Sequence, residues 1–111
     1  MLNAFITRIE PSLARPARPG PLAGVRFATK DLIQTAGVRT TAGSLILKDW
    51  IPDTSAPIVR ALEAAGAVNV GKTNTHEFAF GTTSDNPHYG ATKNPWNPQL
   101  TTGGSSGGSG F

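Results

Sequence analysis

The amino-acid sequence predicts an α/β fold built on a strand, a helix and a second strand. Three observations carry this reading. Val25, Phe27 and Thr29 alternate with Arg26, Ala28 and Lys30, which is the period of a strand. Ser55, Pro57 and Gly66 bracket apolar residues at helical spacing, with a capping hydroxyl and a proline at the start and a glycine at the stop. Ala67-Val68-Asn69-Val70 then reads as a short strand. Strand, helix, strand in that order is a crossover unit, so the two strands are expected to pair in parallel.

The elements follow in order. Residues 1–23 read as a Pro/Arg-rich leader and residues 24–111 as the structured part. Pro11, Pro16, Pro19 and Pro21 punctuate the leader, and Arg8, Arg15, Arg18 and Arg26 give the first 26 residues a basic skew. No aromatics interleave with these arginines, so the nucleic-acid signature is absent. The prolines also break any amphipathic transit helix, and a solvated leader is the expectation. Gly24 and Asp31 bound the first strand, and alternation puts Lys30 and Asp31 on opposite faces. Residues 35–47 form a second apolar stretch that turns at Gly37 and Gly43. The helix is expected over 55–65, capped by Ser55, with Ile58, Leu62 and Ala65 on its buried face. Asn74 and Glu77 stand at capping-box spacing, which predicts a short helix through His76 and Phe78. From Gly81 onward the chain reads as turns, ending in the glycine-serine run Gly103–Gly110 and Phe111.

Composition narrows the function classes. The 111 residues allow one domain at most. The absence of cysteine removes disulfide scaffolds and thiolate metal sites, and suits a cytoplasmic protein. No apolar stretch approaches membrane-spanning length. The 13 glycines and 9 prolines demand many turns, but they show no collagen period.

The chemistry-bearing residues have bland readings beside sharp ones. A Gly-Ser run is ordinary linker composition. The same run can also fold into a tight turn whose N–H groups form an anion nest. Gly71-Lys72-Thr73 has the ending of a phosphate loop but lacks the upstream glycine. Lys72 therefore reads as a loop or strand-end charge, and Lys30, taken alone, as a solvated one. His76 and His88 lack the Asp or Cys context of a triad. Phe80 and Trp96 read as packing residues.

Four blocks, taken together, resemble the amidase-signature family. Gly24-Val25-Arg26-Phe27-Ala28-Thr29-Lys30-Asp31 is similar to the family's lysine strand, although Arg26 stands where the family commonly has proline. Gly71-Lys72-Thr73-Asn74 with Glu77-Phe78-Ala79 is the second block, and Gly90–Asn97 the third. Gly103–Ser109 is the fourth and most characteristic. The blocks keep the family's order and cover roughly residues 20–111. The resemblance implies part of a mixed, largely parallel sheet flanked by helices, incomplete in this chain. It also implies a Ser–Ser–Lys relay that hydrolyses amides. In that relay Lys30 is the base, and Ser105 is the bridging serine after a cis bond from Gly104. The nucleophile comes from a later glycine-rich segment that these residues lack, so the chain alone is expected to be inactive. Ser106 and Ser109 are expected to be turn hydroxyls, the alternative being that one of them supports the lysine by hydrogen bonding. No cofactor and no metal are implied. The expected substrate is a small-molecule amide, without direct nucleic-acid or membrane contact. The expected partner is a second copy of the chain or the other subunits of an amidotransferase, whose glutamine-hydrolysing A subunit shares this signature.

Overall fold

The structure, a computed structural model, describes residues 1–12, 14–16 and 18–111. Its sheet has three strands. β1 is Phe5–Arg8, β2 is Arg26–Lys30 and β3 is Val68–Thr73. They lie in the order β1-β3-β2, with β2 parallel and β1 antiparallel to the central β3. α1, Pro57–Ala64, crosses from β2 to β3. This is the crossover unit that the sequence predicts, within a mixed sheet.

The leader departs from expectation. Phe5–Arg8 is an edge strand and not a solvated lead-in. Its register pairs Phe5 with Thr73 and Arg8 with Gly71, and the Arg8 guanidinium lies 4.5 Å over the Phe5 ring. The cause is non-local. β3 carries β2 on one side only, and an unpaired strand edge recruits whatever extended segment can reach it. The leader then returns along the end of α1, where Leu22 N–H donates to the Ala65 carbonyl at 2.8 Å. Leu13 and Ala17 of the leader lie outside the described residues.

α1 is shorter than expected, and its cap differs. Pro57 occupies the first turn, but Ala56 is the N-cap and makes no side-chain bond. The Ser55 hydroxyl instead accepts from Ala36 N–H at 2.8 Å, which ties the loop after β2 to the helix start. The buried stripe is rotated by one residue: Val59 is 1% exposed, whereas Ile58 is 57% exposed. Val59, Leu62, Glu63 and Gly66 are thus the positions turned away from solvent, the i, i+3, i+4, i+7 spacing of one helical face. Gly66 stops the helix as expected. Its φ of +101° and the bond from Ala67 N–H to the Leu62 carbonyl at 3.0 Å form the left-handed C-terminal cap that glycine favours.

Residues 35–47 form turns, without regular structure. The expected capping box does not form, because the Asn74 side chain is used elsewhere. Glu77–Ala79 is a single turn, with Phe78 at φ 50°. Phe80 and Trp96 are not packed: they lie outside the helices and strands at 88% and 95% exposure. The interior behind β3 is polar. Thr29, Asp31, Thr40, Thr41, Asn69, Lys72, Asn74 and Thr75 are all buried. A buried polar group is costly unless it is hydrogen-bonded, and this network sets the geometry of the candidate site. No helix among the described residues is long and apolar enough to cross a membrane.

Candidate functional site

Lys30 closes β2. Parallel pairing sets it beside Thr73 at the end of β3, and the next residue is fixed there by Asp31 N–H donating to the Thr73 carbonyl at 3.0 Å. The chain leaves β3 through Asn74 and Thr75, and the glycine-serine run folds back onto this exit. Gly108 N–H donates to the Asn74 carbonyl at 2.9 Å, and the Ser109 and Thr73 hydroxyls lie 3.0 Å apart. The run is therefore a docked turn and not a linker.

Ser105 sits at the centre of this turn, after a cis peptide bond from Gly104. Its carbonyl accepts three hydrogen bonds: from His76 N–H at 3.0 Å, from the Thr75 hydroxyl at 2.9 Å and from the Ser84 hydroxyl at 3.0 Å. The Ser84 oxygen also accepts from Gly107 N–H at 2.9 Å, so one buried hydroxyl clamps both arms of the turn. With the backbone held this way, the Ser105 Oγ lies 2.6 Å from the Lys30 Nζ. The two residues are 75 positions apart in the chain.

Burial pushes the Lys30 amine below its ordinary pKa, because desolvation disfavours the charged form. An uncharged amine has a lone pair. Facing a hydroxyl at hydrogen-bond distance, it can accept that hydroxyl's proton.

A second set of side chains supports the turn. Asn74 Nδ2 donates to the Gly90 carbonyl at 2.8 Å and to the Asn3 carbonyl at 3.2 Å. Asn86 Nδ2 donates to the Gly43 carbonyl at 2.7 Å and the Thr75 carbonyl at 2.9 Å, while its Oδ1 accepts from His88 and Tyr89 N–H. Sequence reasoning missed Thr75, Ser84 and Asn86. Short polar residues among turn signals look like solvated loop. The one available signal was Asn86 before Pro87, a pair that favours turn initiation.

The other candidates resolve as follows. Ser106 contributes its carbonyl, which accepts from Ser109 and Gly110 N–H. The two histidines form no triad. Glu77 Oε1 takes the Ser44 hydroxyl at 2.8 Å and His88 Nε2 at 3.0 Å. This puts a carboxylate between serine and imidazole, whereas a nucleophile needs the base. Lys72 is not a loop charge. It is fully buried and ion-paired with Asp31 at 3.4 Å. The N–H groups of Gly107, Gly108, Ser109 and Gly110 all donate within the protein, which leaves the anion-nest reading without donors there. Among the described residues, no three His, Cys, Asp or Glu side chains gather as a metal cage.

Comparison with known proteins supplies the context. Residues 7–111 match the family profile described as Amidase. The A subunit of the glutamyl-tRNA(Gln) amidotransferase from Sulfolobus acidocaldarius is 55% identical over 91 residues, covering 82% of this chain and 19% of that protein. Its counterpart from Carboxydothermus hydrogenoformans is 50% identical over 101 residues, covering 91% and 21%. Among solved structures, the A subunit of the Thermotoga maritima glutamyl-tRNA(Gln) amidotransferase superposes with a TM-score of 0.90 at 39% identity, over 97% of this chain and 24% of that one. The 6-aminohexanoate cyclic dimer hydrolase superposes with a TM-score of 0.86 at 38% identity, over 97% and 23%. The chain thus spans about a fifth to a quarter of the length of the relatives it matches, from 19% to 24% in these four.

Proposed function

The chain belongs to the amidase family, and from that premise we propose that Lys30 and Ser105 are the base and the bridging serine of an amide-hydrolysing site whose nucleophile lies outside these 111 residues. The observation that carries the reading is the 2.6 Å contact between Lys30 Nζ and Ser105 Oγ. Neutral Lys30 takes the Ser105 proton as Ser105 takes one from the attacking serine. The new C–O bond forms at the amide carbonyl. The C–N bond then breaks, and the proton returns through Ser105 to the departing amine or ammonia. Water completes the cycle by the same relay, releasing the acid and restoring the serine.

Within this reading the substrate is a small-molecule amide. The enzyme is cytoplasmic and works as a homodimer or beside amidotransferase subunits. The sequence relatives from Sulfolobus acidocaldarius and Carboxydothermus hydrogenoformans, 55% and 50% identical, are both amidotransferase A subunits, which supports the narrower reading of a glutamine-hydrolysing A subunit, although in superposition over 97% of the chain an A subunit and the cyclic dimer hydrolase are equally similar, at 39% and 38% identity.

A chimera tests the proposal. This chain replaces the matching segment of the Thermotoga maritima protein, and ammonia release is measured from glutamine and from simple amides. The chimera is expected to turn over. Lys30→Ala and Ser105→Ala are each expected to lower kcat by at least about a hundredfold, the usual scale of lost acid–base catalysis. A Lys30→Ala chimera with undiminished kcat would overturn the assignment.

A further inference from the structure

Lys72 has the largest fully buried side chain among the described residues, and the relay just described does not use it. Its three N–H bonds have three neighbours. The ammonium donates to the Ile33 carbonyl at 2.7 Å and to the Thr40 hydroxyl oxygen at 2.8 Å, and it lies 3.4 Å from Asp31 Oδ1. Thr40 spends its own proton on the Val38 carbonyl at 3.1 Å, so towards Lys72 it only accepts. Every neighbour is an acceptor, and a neutral amine would turn its lone pair towards one of them. Burial lowers the pKa of Lys72 and Asp31 raises it. The count of acceptors decides for the charged form.

Asp31 follows Lys30 directly, and its backbone and one carboxylate oxygen are held by hydrogen bonds. Its N–H donates to Thr73 and its carbonyl accepts from Ala42 N–H at 2.8 Å. Oδ2 accepts from Thr41 N–H at 3.1 Å and from the Thr41 hydroxyl. Oδ1 has no hydrogen-bond donor in register and faces the Lys72 ammonium. The turn between them is closed at both ends: Ile33 N–H donates to the Lys30 carbonyl at 2.9 Å, and the Ile33 carbonyl is the acceptor gripped by Lys72.

We propose that Lys72 is a positioning and charge-balancing residue for Lys30, taking up the carboxylate of Asp31 and fixing the backbone turn on which Lys30 stands. The two lysines then differ in their counter-ion for one reason: Asp31 faces Lys72 and not Lys30. Among the described residues Asp31 is the one buried carboxylate, and the strand alternation that separates Lys30 from Asp31 gives it to Lys72. Without Lys72, the charge of Asp31 would be uncompensated in low dielectric, next in sequence to the proposed base, and would favour its protonated form. The other charged or titratable groups on the segments around the Lys30–Ser105 pair are His76, Glu77, Asp85 beside the clamping Ser84, and Arg26 at the far end of β2, and Glu77 is engaged by Ser44 and His88. The glycine-serine turn carries none. The inference deepens the proposed function and rests on it for the meaning of a neutral Lys30.

The test is an NMR titration of the lysine side-chain amines in this chain, which needs no turnover. Lys72→Met is expected to raise the Lys30 midpoint by roughly one pH unit, the scale of one unscreened charge several ångströms away. The double variant Asp31→Asn/Lys72→Met is expected to bring it back. An unchanged midpoint in Lys72→Met, or one that stays raised in the double variant, overturns the proposal. If Lys72→Met does not fold, Asp31→Asn serves instead. It leaves the Lys72 ammonium without its counter-ion and is expected to lower the Lys30 midpoint, and no change or a rise overturns the proposal. A correct titration pattern in a chimera indifferent to Lys30→Ala would defeat the amidase relay and leave the charge balance standing. The reverse result would do the opposite.

Discussion

Gly108→Ala is the substitution that most sharply separates a docked turn from a loose one. A methyl group built on Gly108 falls inside van der Waals contact of the Ala4 carbonyl oxygen and the Asn74 nitrogen, and lies 2.9 Å from Thr73 Cβ. Two of these neighbours are backbone, so no side chain can swing away. Those same two atoms are bonded to each other, Asn74 N–H to the Ala4 carbonyl at 2.9 Å, and Gly108 N–H reaches the Asn74 carbonyl at 2.9 Å. Relief requires the turn to lift off. Overpacking of this kind costs about 1–3 kcal/mol, and the lost hydrogen bond adds about 0.5–1.5 kcal/mol. The expected loss is therefore about 1.5–4.5 kcal/mol, read as a lower urea midpoint at unchanged m. Gly103→Ala is the control. Its methyl group meets nothing within 4 Å, so only the φ of +80° is penalised, by about 1–2 kcal/mol. If Gly108→Ala were no worse than Gly103→Ala, the run would not be seated on the exit of β3, and the Lys30–Ser105 contact would lose its support.

Ser84→Ala removes one of three donors to the Ser105 carbonyl and leaves the Gly107 N–H buried without an acceptor. A loss of about 1–3 kcal/mol is expected in thermal or urea unfolding, and a neutral result would mean that Ser84 does not clamp the turn. Glu77 gives a pH signature. Donation by the Ser44 hydroxyl, and secondarily by His88, holds its carboxyl below the ordinary range. A depressed folded pKa stabilises the protein above the unfolded value of about 4.3 and loses that contribution as pH falls through the folded value. The stability gap between the protein and Glu77→Gln should therefore narrow on acidification below that point, and a gap constant from neutral to acid pH would show that Glu77 has no folded-state partner.

The crossover unit was legible because its signals are local. Alternation at 25–29, Pro57 and Gly66 each report on their own neighbours, and β2, α1 and β3 follow. What the sequence hid is non-local. Phe5–Arg8 becomes a strand only because β3 has a free edge. Ser55 and Asn74 carry capping chemistry, but a better-placed partner elsewhere in the fold claims each one. Lys72 looks like a strand-end charge until Asp31, forty-odd positions earlier in sequence, arrives at its ammonium. The site divides in the same way. Lys30 and Ser105 were visible only as members of an ordered set of family blocks, since neither stands out from a surface lysine or a linker serine. Thr75, Ser84 and Asn86 belong to no periodic pattern. Their roles exist only once the glycine-serine turn folds back against β3.

The Lys30 titration tests the relay most directly. With its side-chain amine followed by NMR in the folded chain, Lys30 is predicted to lose its proton below the ordinary lysine value of about 10.4, with the Lys30–Ser105 contact intact across the titration. A Lys30 that titrates at or above that value would be an ammonium at working pH, unable to take a proton from Ser105, and the assignment of this site as a base and its bridging serine would fail.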